Sequence, residues 1–304
     1  MADGSPSDDD VYLMSQKLKS ISANDTTNQN YSRIQNNKTM NNSTGANYHS
    51  SENRPNSRIV NQREDMKLPA LNLPEKILII IDTIRESDCT PFEFGCGSKY
   101  SPLDIIKRAV QFFICSKSTI NPKHEYALMI LDADSAKLIC DFTNDEKKLS
   151  SILKEIQEIV LTDTVEYFDL DTCFQIISGF SIGIGEMFPS YVYRTILIYT
   201  RSNCIPRFYM RHNFELFMKH NYYFFDALFV HEPPSDNNKS ELVYAELSKL
   251  DIKNNSWIFE VGRYAAQLHT QMAKLLAHPL QRPKQDSADY KIFSNDTTEK
   301  QTNV

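Results

Sequence analysis

An acid closes the most apolar run of this sequence. Residues 77–82 read Ile-Leu-Ile-Ile-Ile-Asp, and β-branched side chains in succession suit a strand covered on both faces, as in parallel sheets flanked by helices. Open α/β sheets keep their ligand crevice at the carboxyl ends of such strands, so Asp82 stands where a carboxylate can ligate a cation or act as a base. The remaining chemistry-bearing residues do not complete an active site around it. His124-Glu125 is followed by Leu128 where a metalloprotease helix needs its second histidine, and no other histidine stands at ligand spacing. Cys89, Cys96, Cys115, Cys140, Cys173 and Cys204 form no Cys-x-x-Cys pair, so neither a zinc ribbon nor a redox dithiol is signalled. Gly183 and Gly185 are not followed by a helix opening with Lys-Ser or Lys-Thr, which argues against a phosphate-binding loop. No nucleophile elbow is read. No catalytic residue, metal ligand or cofactor is therefore expected. Asp226, alone in the apolar run 222–231, reads either as a buried functional acid or as a capped or edge-exposed one, and His269 as a partly buried polar residue.

The elements that would position Asp82 can be taken in order. Ser101, Pro102 and Asp104 supply an N-cap, a proline at the first helical position and an acid in the first turn, and Leu103, Ile106, Val110, Phe113 and Ile114 then form one stripe. Residues 125–131 and 136–142 read as strands of a hairpin around 132–135. Thr143 and Glu146 open a second helix with the stripe Leu149, Ile152, Leu153, Ile156 and Val160. A third helix is expected over 170–178, strands over 193–199, 222–231 and 257–261, and helices over 213–220, 241–250 and 263–276. Tyr264, Ala265, Leu268, Met272, Leu275 and Leu276 share a face of the last one. Strands alternating with helices, with one hairpin, predict an α/β fold with a doubly wound, mostly parallel sheet.

Composition sets the outer limits. Residues 1–72 are rich in Asn, Ser, Asp and Thr and read as a disordered tail, in which Ser5-Pro6 and Ser7 are either kinase targets or plain solubilising residues. Residues 73–277 form the domain, and 278–304 a short polar tail. A net charge of −6 from 33 basic and 39 acidic residues gives no case for nucleic-acid binding. The acids of residues 1–10 and the absence of a long apolar stretch give none for a signal peptide or membrane helix. Cys115 and Cys140 read as core residues, and Cys89 and Cys96, which bracket residues 90–95 in a loop, as free thiols or as a pair bonded to each other. The segment after the last helix, His278-Pro279-Leu280-Gln281-Arg282-Pro283, reads as an ordinary helix stop or as a stiffened docking peptide, with Leu280 an apolar anchor and Arg282 a fork of donors.

This order of elements, with one strand ending in Asp and another in Leu-Ile-Tyr-Thr, resembles a von Willebrand factor A domain. In that family a divalent cation is held by Asp-x-Ser-x-Ser after the first strand, a threonine from a second loop and an aspartate after the fourth strand. Here the motif reads Asp82-Thr83-Ile84-Arg85-Glu86, Thr172 matches the threonine, and Arg201 stands at the acid's position. Ile84 cannot ligate and a guanidinium opposes a dication, so the metal site is expected to be lost and Arg201 to pair with Asp82. The alternative is a working metal-dependent ligand-binding A domain.

A narrower resemblance rests on the run from Met272 to Pro283, together with Pro74-Glu75-Lys76, the strand Val192-Tyr193-Arg194-Thr195-Ile196-Leu197 and Tyr223-Phe224-Phe225-Asp226. In these the chain is similar to the von Willebrand A-like subunits of the BRCC deubiquitinase assemblies. The resemblance implies a non-catalytic scaffold that binds a ubiquitin-conjugating-enzyme-variant (BRE-type) subunit directly, through residues 278–283. Through that subunit it would join a zinc metalloprotease deubiquitinase and an Abraxas-type scaffold. Such assemblies remove ubiquitin chains joined through lysine sixty-three, in the nucleus at DNA breaks and in the cytoplasm and on mitotic spindles. The family's tankyrase-type docking signal is not found; Arg54-Pro55-Asn56 does not fit it.

Overall fold

The computed structural model describes residues 72–288, apart from 88, 95, 162–164, 181–188, 210–214 and 216. The serines at 5 and 7, Arg54, Gly183, Gly185, residues 213, 214 and 216 of the helix expected at 213–220 and everything beyond 288 lie outside the described residues, while 215, 217 and 218 are helical. Six strands make the central sheet: β1 (Glu75–Asp82), β2 (Glu125–Leu131), β3 (Ala136–Thr143), β4 (Val192–Tyr199), β5 (Tyr223–Val230) and β6 (Ile258–Val261). Their order is β6-β5-β4-β1-β2-β3, with β1 between β2 and β4. All neighbours are parallel except β2 and β3, the expected hairpin. The doubly wound, mostly parallel, von Willebrand A-like fold is thus the one the chain adopts.

Helices cover both faces. α1 (Pro102–Ile120), α2 (Glu146–Glu155) and α5 (Ala265–Lys274) lie over one, α3 (Asp171–Ser178) and α4 (Ser240–Ser248) over the other. Ile77, Ile79 and Ile81 enter the first core while Leu78 and Ile80 enter the second, which is why β1 is apolar at consecutive positions. Burial of a whole branched side chain stabilises by roughly 1.5–3 kcal/mol, so β1 anchors both layers.

Local signals set the ends of α1 as expected: Ser101 Oγ accepts from Asp104 N at 3.2 Å and Pro102 opens the helix. At α2 the expectation fails. Asp145, not Thr143, caps it by accepting from Lys147 N and Lys148 N, and Thr143 instead accepts from Asp145 N at the end of β3. The helix stops at Glu155, where Lys107 Nζ donates to the Lys154 and Ile156 carbonyls, so Val160 leaves the stripe and is exposed. Tyr264 also leaves its predicted face: it precedes α5 in an extended conformation and is 74% exposed, while Leu268, Met272 and Leu275 are buried. None of the six cysteines, Cys89 and Cys96 included, is in a disulfide. Cys140 is in the core, but Cys115 is only half-buried and its thiol donates to Glu146.

Candidate functional site

The carboxyl end of the sheet holds the crevice that Asp82 marks. Asp82 Oδ1 accepts from Ile84 N and Oδ2 from Thr200 N, each at 3.2 Å. Arg201, from the loop after β4, donates Nε to both oxygens at 3.1 Å and Nη2 to Oδ1 at 3.0 Å. A carboxylate offers about four lone-pair sites, and these donors use them all. The guanidinium then reaches across the β2–β3 turn, donating to the Ala133 carbonyl at 3.0 Å and to that of Asp132, with Phe168 4.5 Å beneath it. Burial opposes the Arg201 charge, but Asp82 beside it outweighs that and raises its pKa.

The other positions of the family's cation motif are also engaged. Ile84 is buried and apolar. Glu86 accepts from Ser202 N at 2.8 Å and Asn203 N at 2.9 Å, tying its loop to the one after β4, and burial raises its carboxyl above the usual range despite those donors. Thr172 donates to the Asp169 carbonyl at 2.9 Å, within its own helix start. Asp82, Glu86 and Arg201 therefore come together as an interlocked pair of loops, while the Thr172 hydroxyl is engaged by Asp169. Among the described residues no group of three His, Cys, Asp or Glu side chains could hold a metal ion.

A second polar cluster, at the amino end of the same sheet, was not foreseen. Asp226 is neither capped nor edge-exposed: it is fully buried and accepts from Arg194 Nε at 2.8 Å, Arg282 Nη1 at 2.9 Å, Arg282 Nη2 and Trp257 N at 2.8 Å. Arg194 Nη1 lies 3.3 Å from Glu75 and donates to the Leu275 carbonyl at 2.7 Å. Lys117 pairs with Glu75 and donates to the Leu276 carbonyl at 2.9 Å. His124 Nδ1 accepts from Glu75 N, and His278 Nε2 is 2.9 Å from the Leu73 carbonyl. Three cations thus face two carboxylates in a buried site. Burial would raise the Asp226 and Glu75 pKa values; the cations, Arg282 then Arg194 for Asp226 and Arg194 then Lys117 for Glu75, outweigh it and hold both below the usual range. Burial pushes His124 down to about 4 and lowers His278. A signal for this site did exist: two neighbouring apolar strands each carry one charge, of opposite sign, at Arg194 and Asp226.

The segment expected to form a tail at 278 is part of this cluster. Pro279 and the Arg282 side chain are buried, the Pro283 carbonyl accepts from Trp257 Nε1 at 3.1 Å, and the Gln285 carboxamide accepts from Ile258 N and donates to Ile258 O, taking a strand's place at the edge of β6. Leu280 is half-buried; Gln281 and Pro283 are exposed. The absence of a nucleophile elbow also needs correction, because residues 179–183 read Gly-Phe-Ser-Ile-Gly. Gly179 follows α3 rather than a strand, so the strand–turn–helix setting of an elbow is missing, and residues 181–183 lie outside the described ones.

No family model matches the chain. It is 32% identical over 242 residues to BRISC and BRCA1-A complex member 1 of Bos taurus, covering 76% of this chain and 71% of that protein. The human protein of that name is 31% identical over 241 residues, covering 76% and 72%. The chain belongs to the BRISC and BRCA1-A complex member 1 family. Among solved structures it is similar to the SpRpn10 VWA domain, at 12% identity and a TM-score of 0.40, covering 67% of this chain and 95% of that one. The family assignment rests on the sequence relatives, and the fold on the sheet order already described.

Proposed function

We propose that this chain is a non-catalytic scaffold subunit of a deubiquitinase assembly of the BRISC or BRCA1-A type. The observation that carries the reading is its likeness to proteins named as members of those complexes, over about three quarters of its length. Asp82 supports it: with its oxygens taken by Arg201 and two backbone amides, it has no lone pair left for a dication. The direct partner is a BRE-type ubiquitin-variant subunit, which joins the chain to a zinc metalloprotease and an Abraxas-type scaffold. The assembly cleaves chains joined through lysine sixty-three of ubiquitin and acts in the DNA damage response and in cytoplasmic and mitotic deubiquitination. The subunit is accordingly in both nucleus and cytoplasm.

Purifying the tagged chain from its own cells and identifying its companions by mass spectrometry tests this. A ubiquitin-variant subunit and a zinc metalloprotease should co-purify in stoichiometric amounts. Recovery of the chain alone, or hydrolysis of ubiquitin chains by the chain alone, contradicts it.

A further inference from the structure

An open sheet has two edges, and this one treats them differently. Among the described residues β3 and β6 stand at its ends. The β2–β3 ladder is broken by two register shifts, and Lys137 and Asp141 are exposed on β3, so that edge is bent and charged. β6 is regular. It follows β5 without a shift, from Ala227 opposite Ile258 to Val230 opposite Val261, and Ile258, Phe259 and Val261 are buried. Glu260, its one exposed side chain, turns back on His231 at 3.3 Å. A regular apolar edge of this kind is a template for another strand.

Two glutamines cover it. The Trp257 and Val261 carbonyls accept from Ala227 N and His231 N at 2.9 Å, so the backbone groups of Ile258, Glu260 and Gly262 point away from β5. The Gln285 carboxamide accepts from Ile258 N at 2.6 Å and donates to Ile258 O at 2.9 Å. The Gln267 carboxamide, from the first turn of α5, accepts from Gly262 N at 3.1 Å and donates to the Glu260 carbonyl at 3.3 Å. A carboxamide carries an acceptor and donors side by side, the pattern a neighbouring strand's backbone would present. Together the two span β6 from end to end. We propose that Gln267 and Gln285 form a seal that keeps β6 from adding a strand, and that the strand it excludes is β6 of a second copy of this chain. Identical edges pair antiparallel about a two-fold axis, so a bare β6 is complementary to itself. The glutamines reach the edge from separate elements, α5 and the turn at Gln285–Ser287, so each covers its own part.

Sedimentation velocity and amide hydrogen exchange on the full chain test this. Gln285→Leu alone should speed exchange of the Ile258 amide about tenfold and leave Gly262 unchanged, and Gln267→Leu should do the reverse. The double variant Gln267→Leu/Gln285→Leu should dimerise at a concentration about tenfold or more below that of the unaltered chain. Its Ile258 amide should slow again as concentration rises, which places the new contact on β6. Gln267→Glu/Gln285→Glu, which keeps an acceptor for both amides and puts charge on the edge, should dimerise no more readily than the unaltered chain. Unchanged dimerisation of the leucine pair overturns the proposal, as does a dimer whose Ile258 amide stays fast. Equal dimerisation of the leucine and glutamate pairs also overturns it, because the association would then come from lost stability. Should the leucine pair not fold, the single variants decide: amides at Ile258 and Gly262 that ignore them leave no seal.

Discussion

Two buried guanidinium–carboxylate contacts sit at opposite ends of one sheet and hold different things. At the carboxyl end, Arg201 meets Asp82 from a loop of the same crevice, closing it with backbone carbonyls of the β2–β3 turn as further partners. At the amino end, Arg194 and Arg282 meet Asp226 from a neighbouring strand and from a segment 56 positions away, and Glu75 and Lys117 extend the network to β1 and α1. The first contact fills a site. The second ties the end of the chain to the domain, and each of its members neutralises another that would otherwise be stranded in the core.

The largest difference should appear when one partner is removed at each end. Asp226→Ala leaves two buried guanidinium groups facing each other and should cost about 3–5 kcal/mol in urea unfolding. Arg201→Ala leaves Asp82 with its two backbone donors and should cost less, about 3 kcal/mol at most. Equal losses would mean that the two ends are not organised as described.

Acid should separate the ends by sign. His124 is neutral in the fold down to about pH 4, whereas the unfolded chain takes up that proton near 6.5, so stability is full above pH 6.5 and declines as pH falls toward 4. Asp226 and Glu75, held below 3.8 and 4.5, add to the loss at lower pH, as the unfolded chain protonates them first. Glu86, raised by burial, works the other way: the folded chain takes its proton first, and stability is gained there as pH falls. Unfolding midpoints measured between pH 8 and 4 should therefore fall in the unaltered chain and fall less in His124→Gln. An identical decline in the variant would remove His124 from the account.

Most of the fold was legible in the sequence because its signals are local. The consecutive isoleucines of β1, the Ser101-Pro102-Asp104 start of α1 and the 132–135 turn each act within a few residues, and each formed as read. The Asp82–Arg201 pair was legible too, because the family's motif gives both positions. What was missed depends on partners far apart in sequence. Asp226 looks anomalous until Arg282 is placed beside it, and Arg282 looks free until the chain is seen to turn back at Pro279. The cap of α2 was missed for a smaller reason: Thr143 and Asp145 can both accept, and β3 had already taken Thr143.

Calorimetric titration of magnesium into the purified chain tests the central claim, that Arg201 has replaced a cation at the carboxyl end. The account predicts no binding heat, with or without Asp82→Ala. Uptake with a dissociation constant in the micromolar range that Asp82→Ala abolishes would contradict it.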